Sequence, residues 1–403
     1  MSALLLTCVI CVFPIQESQS EQGSIPNDPE IQQRLQEMVD KSIEAADKET
    51  KLDGSKDPMS FDIPIPAIIA GYQKHGEPIR IGAAGVRKLE SDELVTPNDL
   101  VHIGSCTKAM TATLIGRLID RGELSFETTI KEGLPHLAQK INKDYHDITV
   151  HQLLTHRSGL PREAFWRDNP KSKITKQRNK IVIKALADKP KSPLDDSFAY
   201  SNLGYCIAGM IAAKTQNTSW EKLIKRELFD VLDMKSASFG PPGTKGKIDQ
   251  PWGHAPLGKV LLPRQGDNPF VLGPAGTVHL TIADWAKFAL AHAGCSDPPI
   301  VSEETMKILH EVVKQNDEDE NNYACGWMVL QRPLLQGTAL CHNGSNTMWF
   351  ATIWVAPKNE AAYFAAINAG LNHGITKAAD DAIGVVIEAH KKAYMENKRG
   401  ESE

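Results

Sequence analysis

The stretch HIGSCTKAMTATLIGRLIDRGEL, residues 102–124, decides how the rest of the chain is read. Its apolar residues recur at helical spacing, and Gly122 stops the run, so the spacing predicts a helix from about Ser105 to Arg121. Ser105 and Lys108 are three residues apart and therefore share a face at the start of that helix. A helix N-terminus carries partial positive charge and unpaired N–H groups, which favour a serine alkoxide or a neighbouring oxyanion. The pattern alone is weak, because a chain of this length holds about one Ser-x-x-Lys by chance. A second match, Ser219 to Lys222, reads as an ordinary helix start, with Ser219 as the cap and Lys222 on the solvated side.

Upstream, residues 29–48 carry Ile31, Leu35, Met38 and Ile43 on one helical face, and 51–62 read as a loop. Two strand candidates follow, Ala67–Lys74 and Ile79–Val86, joined by the turn residues His75-Gly76-Glu77-Pro78. From Ser125 to about Gly273 the text is helix-like and broken by Pro and Gly. It contains ITVHQLLTH, with a stop expected at Ser158-Gly159, then SNLGYCIAGMIAAKTQ and SWEKLIKRELFDVL. Late in the chain YACGWMVL, GTALCHNG, MWFATIWVAP and AAYFAAIN read as consecutive strands. The gaps between them are too short for parallel crossovers, so the pairing is antiparallel. A last helical pattern spans about 376–394. The expected fold is α/β: an antiparallel sheet flanked by helices, formed from both chain ends, with an inserted all-α lobe. The expected units are a helix and linker over 21–62, a sheet domain from 63–124 and 273–396, a helical lobe over 125–272, and a tail over 397–403. A cleft between the lobes is the natural place for a site.

The bulk numbers narrow the function. The chain has 403 residues, 41% of them apolar and 24% charged, with a net charge of −5. That leaves no electrostatic footprint for nucleic acid. The apolar run Ala3–Phe13 is too short to span a bilayer but suits a signal-peptide core, with cleavage near Ser18–Ser20 and a mature start near Glu21, although no Lys or Arg precedes it. Export to a periplasm or extracellular space, with no transmembrane span in the mature chain, is the expectation. Cys8 and Cys11 lie in that run, and the other five cysteines are scattered with no C-x-x-C pair, so they read as small apolar fillers. His146, His151 and His156 recur every five residues, which does not align them on one helical face; they read as structural, and no metal or other cofactor is expected. The basic run 171–184 and the acidic run 317–320 read as solvated faces.

Two further polar signatures stand at element boundaries. Tyr200-Ser201-Asn202 heads an apolar helix, and His342-Asn343-Gly344 ends a strand. The order Ser-x-x-Lys, Tyr-x-Asn, His-x-Gly resembles the serine β-lactamase and penicillin-binding-protein family, in particular its class C β-lactamase and D-alanyl-D-alanine carboxypeptidase branch. LLTHRSGL (153–160), YSNLGY (200–205) and GPAGTVHLTIADWAKFA (273–289) are similar to stretches of that branch, so the resemblance covers about 67–370. It implies Ser105 as the acylated nucleophile, Lys108 as its proton-relay partner, and Tyr200 as general base on Ser105 and later on water. It implies Asn202 as a ligand of the substrate amide. It also implies an oxyanion hole from the backbone N–H groups of Ser105 and Ser345. Gly344 would let substrate lie close to the strand edge.

The third signature departs from the Lys-Thr-Gly of many β-lactamases. A histidine is often neutral where a lysine is charged, so His342 weakens attraction for a substrate carboxylate. The implied activity is that of a serine acyl hydrolase acting on a small-molecule or peptidoglycan-derived amide, ester or β-lactam. The alternative is a non-hydrolytic peptidoglycan or D-peptide-binding module on the same scaffold. A carbohydrate-binding reading lacks clustered aromatics.

Overall fold

The computed structural model describes residues 24–49, 64–190, 194, 197–258, 260–314 and 322–400. The signal-like run with its cleavage region, the 51–62 loop and the acidic run 317–320 lie outside the described residues.

Among the described residues, eleven strands form three sheets. Six of them, β1 (Ala67–Lys74), β2 (Arg80–Gly85), β8 (Met328–Arg332), β9 (Gly337–Ser345), β10 (Phe350–Ala356) and β11 (Ala361–Ile367), make one antiparallel sheet in the order β2-β1-β11-β10-β9-β8. The two chain ends meet where β1 pairs with β11, Ile68 opposite Ile367 and Lys74 opposite Ala361. β1 and β11 are apolar on both faces because both faces are covered. Ile68, Ala70, Tyr72, Tyr363, Ala365 and Ile367 pack against Ile31, Leu35 and Val39 of the Pro29–Glu49 helix and Ala379 and Val386 of the His373–Gly400 helix. Ile69, Phe364 and Ala366, on the other face, meet Trp285 and Phe288 of the Ile282–His292 helix.

The Thr107–Asp120 helix runs through the second of these cores. It is buried on nearly all sides, from Thr107 to Leu118, as expected of a helix wedged between two layers. Leu114, Ile115 and Leu118 are fully buried, and each contributes about 1.5–3 kcal/mol of transfer free energy. Helices Val150–Leu154, Ile174–Ala185 and Asn202–Thr215 build the lobe beside it.

The region 125–272 is not all-helical. Beyond Phe229 it holds β4 (Ser238–Phe239) and the hairpin of β5 (Gly253–Leu257) and β6 (Val260–Arg264). β4 joins β3 (Leu100–His102) and β7 (Val278–Thr281) in a small sheet of order β3-β7-β4. These strands are short and interrupted by Pro and Gly, so they show no alternation long enough to read. The YACGWMVL segment is likewise extended only at its end, where Met328 opens β8 and Tyr323 bridges back to Met328.

Candidate active site

Ser105 lies in a short 3-10 turn, Gly104–Cys106, that feeds the 107–120 helix. The turn presses against the end of β9. A Cβ on Gly104, whose φ is +47°, would fall 2.4 Å from the Ser345 nitrogen, and one on Gly344 would fall 2.0 Å from the Ile103 oxygen and 2.7 Å from the Ser105 nitrogen. Only glycine permits this approach, and it brings the backbone amides of Ser105 and Ser345 to the two sides of one contact. β8 pairs with β9 only as far as Cys341, so residues 342–345 keep one edge without a neighbouring strand while the other pairs with β10.

Lys108 is fully buried. Its ammonium donates to Ser105 Oγ (3.0 Å), Asn202 Oδ1 (2.7 Å) and the Ala275 carbonyl (2.9 Å), using all three of its donors. Asn202 opens the 202–215 helix but does not cap it. Ser201 is the cap, accepting from the Gly204 N–H at 3.0 Å and donating to the Pro161 carbonyl at 2.7 Å. Asn202 is thereby left free to face Lys108. The half-buried Tyr200 ring lies with its centroid 4.8 Å from Lys108 Nζ and 5.2 Å from Arg162 Cζ. Ser219 is a plain cap, accepting from the Lys222 N–H at 3.3 Å.

His342 is buried, and its ring is committed within the protein. Nδ1–H donates to the Asn343 carbonyl (2.6 Å), which leaves Nε2 to accept from the Tyr323 hydroxyl (2.9 Å). Burial, with Lys108 second, pulls its pKa down to about 3, so the imidazole is neutral. Burial also raises the Tyr323 hydroxyl well above its ordinary value.

Three residues at this site carried no signal read from the sequence. The five-residue spacing of His146, His151 and His156 reads as structural. The helix in that stretch ends at Leu154, four residues short of the expected Ser158 stop, and His156 turns inward with φ +60°. Its Nδ1 accepts from the Ser201 N–H (3.1 Å), and its ring stands 4.2 Å from Tyr200 and 4.8 Å from Tyr323 between centroids. Burial, then Lys108, holds it neutral. Tyr323 reads from the sequence only as part of a strand. Glu163 accepts from Asn202 Nδ2 through Oε1 (2.5 Å) and from Trp166 Nε1 through Oε2 (2.6 Å). It lines a cavity of about 1820 Å³ together with Phe165, Arg167, Lys176, Lys180 and Lys184. The pattern LLTHRSGLPRE carries both His156 and Glu163, and its Gly and Pro mark the turn that aims them.

Among the described residues, one trio able to offer three ligand atoms to a metal is His75, Cys295 and Glu360, whose donor atoms lie within 4.8 Å of one another. It sits at the opposite end of the sheet from Ser345, where Lys74 pairs with Ala361. No helix among the described residues is long and apolar enough to cross a membrane.

A family model described as Beta-lactamase matches residues 42–387. Protein flp of Staphylococcus aureus is 24% identical over 332 residues, which is 79% of this chain and 62% of that protein. Penicillin-binding protein 4 of Amycolatopsis lactamdurans is 29% identical over 223 residues, 52% of this chain and 55% of its own. The chain thus spans about six-tenths or less of these relatives. Among solved structures, a class C beta-lactamase superposes with TM-score 0.66 at 19% identity, covering 88% of this chain and 96% of that one. A D-amino acid amidase from Ochrobactrum anthropi SV3 gives 0.69 at 19%, covering 91% and 99%. At such identities these likenesses speak to the fold alone.

Proposed function

The chain belongs to the beta-lactamase family, and on that premise we propose that it is a serine acyl hydrolase that forms an acyl-enzyme on Ser105. The observation that carries this reading is the Lys108 ammonium, bonded at once to Ser105 Oγ and Asn202 Oδ1. The Lys108–Tyr200 pair starts one proton short of ammonium plus phenol: with Lys108 as the ammonium, Tyr200 starts as the phenolate, and as Oγ bonds to the carbonyl carbon its proton passes to the Tyr200 oxygen. The carbonyl oxygen gathers negative charge and is held by the Ser105 and Ser345 N–H groups, donors of a kind whose single loss costs about 10²–10³-fold in rate. Collapse of the tetrahedral intermediate expels an alcohol or amine, which takes that proton. Water then attacks the acyl-serine with Tyr200 as base, and Ser105 recovers its proton. Asn202 and the open edge of β9 at Gly344 hold the substrate's amide.

The neutral His342 removes one source of attraction for a carboxylate, so esters and amides without one stand beside β-lactams as substrates. Export belongs to the same proposal and rests on the apolar run 3–13.

The test is intact-mass analysis of wild type and Ser105→Ala after exposure to a nitrophenyl ester and to a β-lactam. Wild type is expected to gain an acyl mass that decays, and the variant none. Full-strength labelling of the variant overturns the assignment. An acyl mass that never decays favours the binding module over the hydrolase.

A further inference from the structure

Three turns converge at the end of the large sheet that lies away from Ser345. His75 follows β1 in the turn to β2, Glu360 precedes β11 in the turn from β10, and Cys295 lies just past the 282–292 helix packed on these strands. The pairing of Lys74 with Ala361 puts His75 and Glu360 side by side, and the His75 N–H donates to the Glu360 carbonyl at 2.8 Å. The Cys295 N–H donates back to the Leu290 carbonyl of the helix at 2.9 Å. The backbone carrying all three side chains is therefore anchored in the sheet and in the helix that covers it.

Their donor atoms gather in one place. An imidazole nitrogen, the thiol sulfur and a carboxylate oxygen lie within 4.8 Å of one another, with His75 Nδ1 4.0 Å from Glu360 Oε2. Around a tetrahedral Zn²⁺, with bonds of about 2.0–2.3 Å, such atoms stand about 3.3–3.6 Å apart. Closing on an ion thus takes a shift of about 1 Å. The His75 and Glu360 side chains, 53% and 60% exposed, have the space to turn that far. The neighbouring Lys74 ammonium is held by Glu77 at 2.9 Å, which lessens its repulsion of a cation.

The donor set selects the ion. Mg²⁺ and Ca²⁺ take oxygen ligands, whereas thiolate and imidazole suit Zn²⁺. Three protein ligands and a water complete its tetrahedron. The Cys295 thiol gives its proton to solvent as the Zn–S bond forms.

We propose that His75, Cys295 and Glu360 bind one Zn²⁺, which clips the β1–β2 turn, the β10–β11 turn and the end of the 282–292 helix together. The site stands at the opposite end of the sheet from Ser345, so the ion acts on stability, and the inference is independent of the acyl-hydrolase reading.

The test uses the full-length protein, reduced and stripped of metal, titrated near neutral pH with Zn²⁺ by calorimetry and with Co²⁺ as an optical probe. One Zn²⁺ per chain is expected, with a melting temperature that climbs as zinc is added. Bound Co²⁺ should show a sulfur-to-metal charge-transfer band. Cys295→Ser is expected to remove that band and to weaken Zn²⁺ by about 100-fold, and His75→Ala and Glu360→Gln to weaken it by about tenfold or more. A further measurement needs no variant. Cys295 is half-buried while Cys106, Cys206, Cys325 and Cys341 are buried, so alkylation of Cys295, mapped by peptide mass, should slow when Zn²⁺ is present. Absence of zinc uptake, equal affinity in all three variants, or alkylation of Cys295 indifferent to saturating Zn²⁺ overturns the inference. Acylation of Ser105 by a nitrophenyl ester is expected to proceed at the same rate with and without Zn²⁺, and a rate that depends on zinc overturns the structural role.

Discussion

His156 illustrates how one residue acquires a role through its backbone. A left-handed φ at a non-glycine residue is uncommon and is held here by its surroundings. The ring accepts from Ser201, the residue between Tyr200 and Asn202, and fills the space between the Tyr200 and Tyr323 rings. In the proposed mechanism it positions Tyr200, whose ring it packs against, and takes no part in the bond changes. His156→Ala leaves the Ser201 N–H buried without an acceptor and opens a cavity, at a combined cost of about 2–4 kcal/mol. Urea unfolding should report that loss. Acylation kinetics should show kcat falling more than KM, because Tyr200, the proposed base, is displaced while the edge of β9 proposed to hold substrate is not. A histidine that only filled space would leave kcat near wild type in the molecules that remain folded.

At the scale of elements, the site is a seam between one turn and one strand end. The 104–106 turn and the 107–120 helix it feeds present Ser105 and Lys108 three residues apart, and β9 presents an edge that β8 leaves bare beyond Cys341. Gly104 and Gly344 set the width of that seam. Gly344→Ala puts a methyl 2.0 Å from the Ile103 oxygen, so the strand end must move off the turn, and the Ser345 amide moves with it. The expected result is a loss of about 100-fold or more in acylation rate, read by stopped-flow with a chromogenic ester. Melting temperature should fall much less than for a core truncation, because the rest of β9 keeps its pairing with β8 and β10. The sequence made the helix legible through its apolar period and β9 to β11 through their short turns. It did not reveal β4 to β6, since a two-residue strand has no alternation to detect and the hairpin carries Pro256 and Pro263.

At the scale of the whole molecule, the interior holds an unusual store of neutral imidazole. Burial pulls His254 and His310 down to about 4 and His342 to about 3, and puts His156 and His292 well below 6.5. His292 and His310 form a chain with Thr113, which donates to the Ala109 carbonyl, accepts from His292 Nε2, and leaves His292 Nδ1 to accept from His310. Unfolded, these rings take up protons as pH falls through about 6.5, while in the folded protein His254, His310 and His342 stay neutral to about 4 or below and burial holds His156 and His292 neutral well below 6.5. The unfolded state then binds more protons, so stability falls as pH drops from about 6.5 toward 4, by up to about 1.4 kcal/mol per group per pH unit. Denaturant unfolding at pH 7, 6 and 5 should show the decline, with several protons taken up per molecule unfolded at pH 5. A pH-independent midpoint over that range would show that the imidazoles charge in the folded state. By itself the sequence determined what depends on neighbours along the chain: the Ser105–Lys108 pair one helical turn apart, the antiparallel order of β9, β10 and β11, and the cap at Ser219. Only the tertiary structure decided which distant groups complete the site. Lys108 meets Asn202 across 94 residues, Asn202 meets Glu163 across 39, and Tyr323 commits the His342 ring to a bond inside the protein. The physical reason is that such contacts are set by how layers pack and which side chains lose water, and neither leaves a period in the sequence.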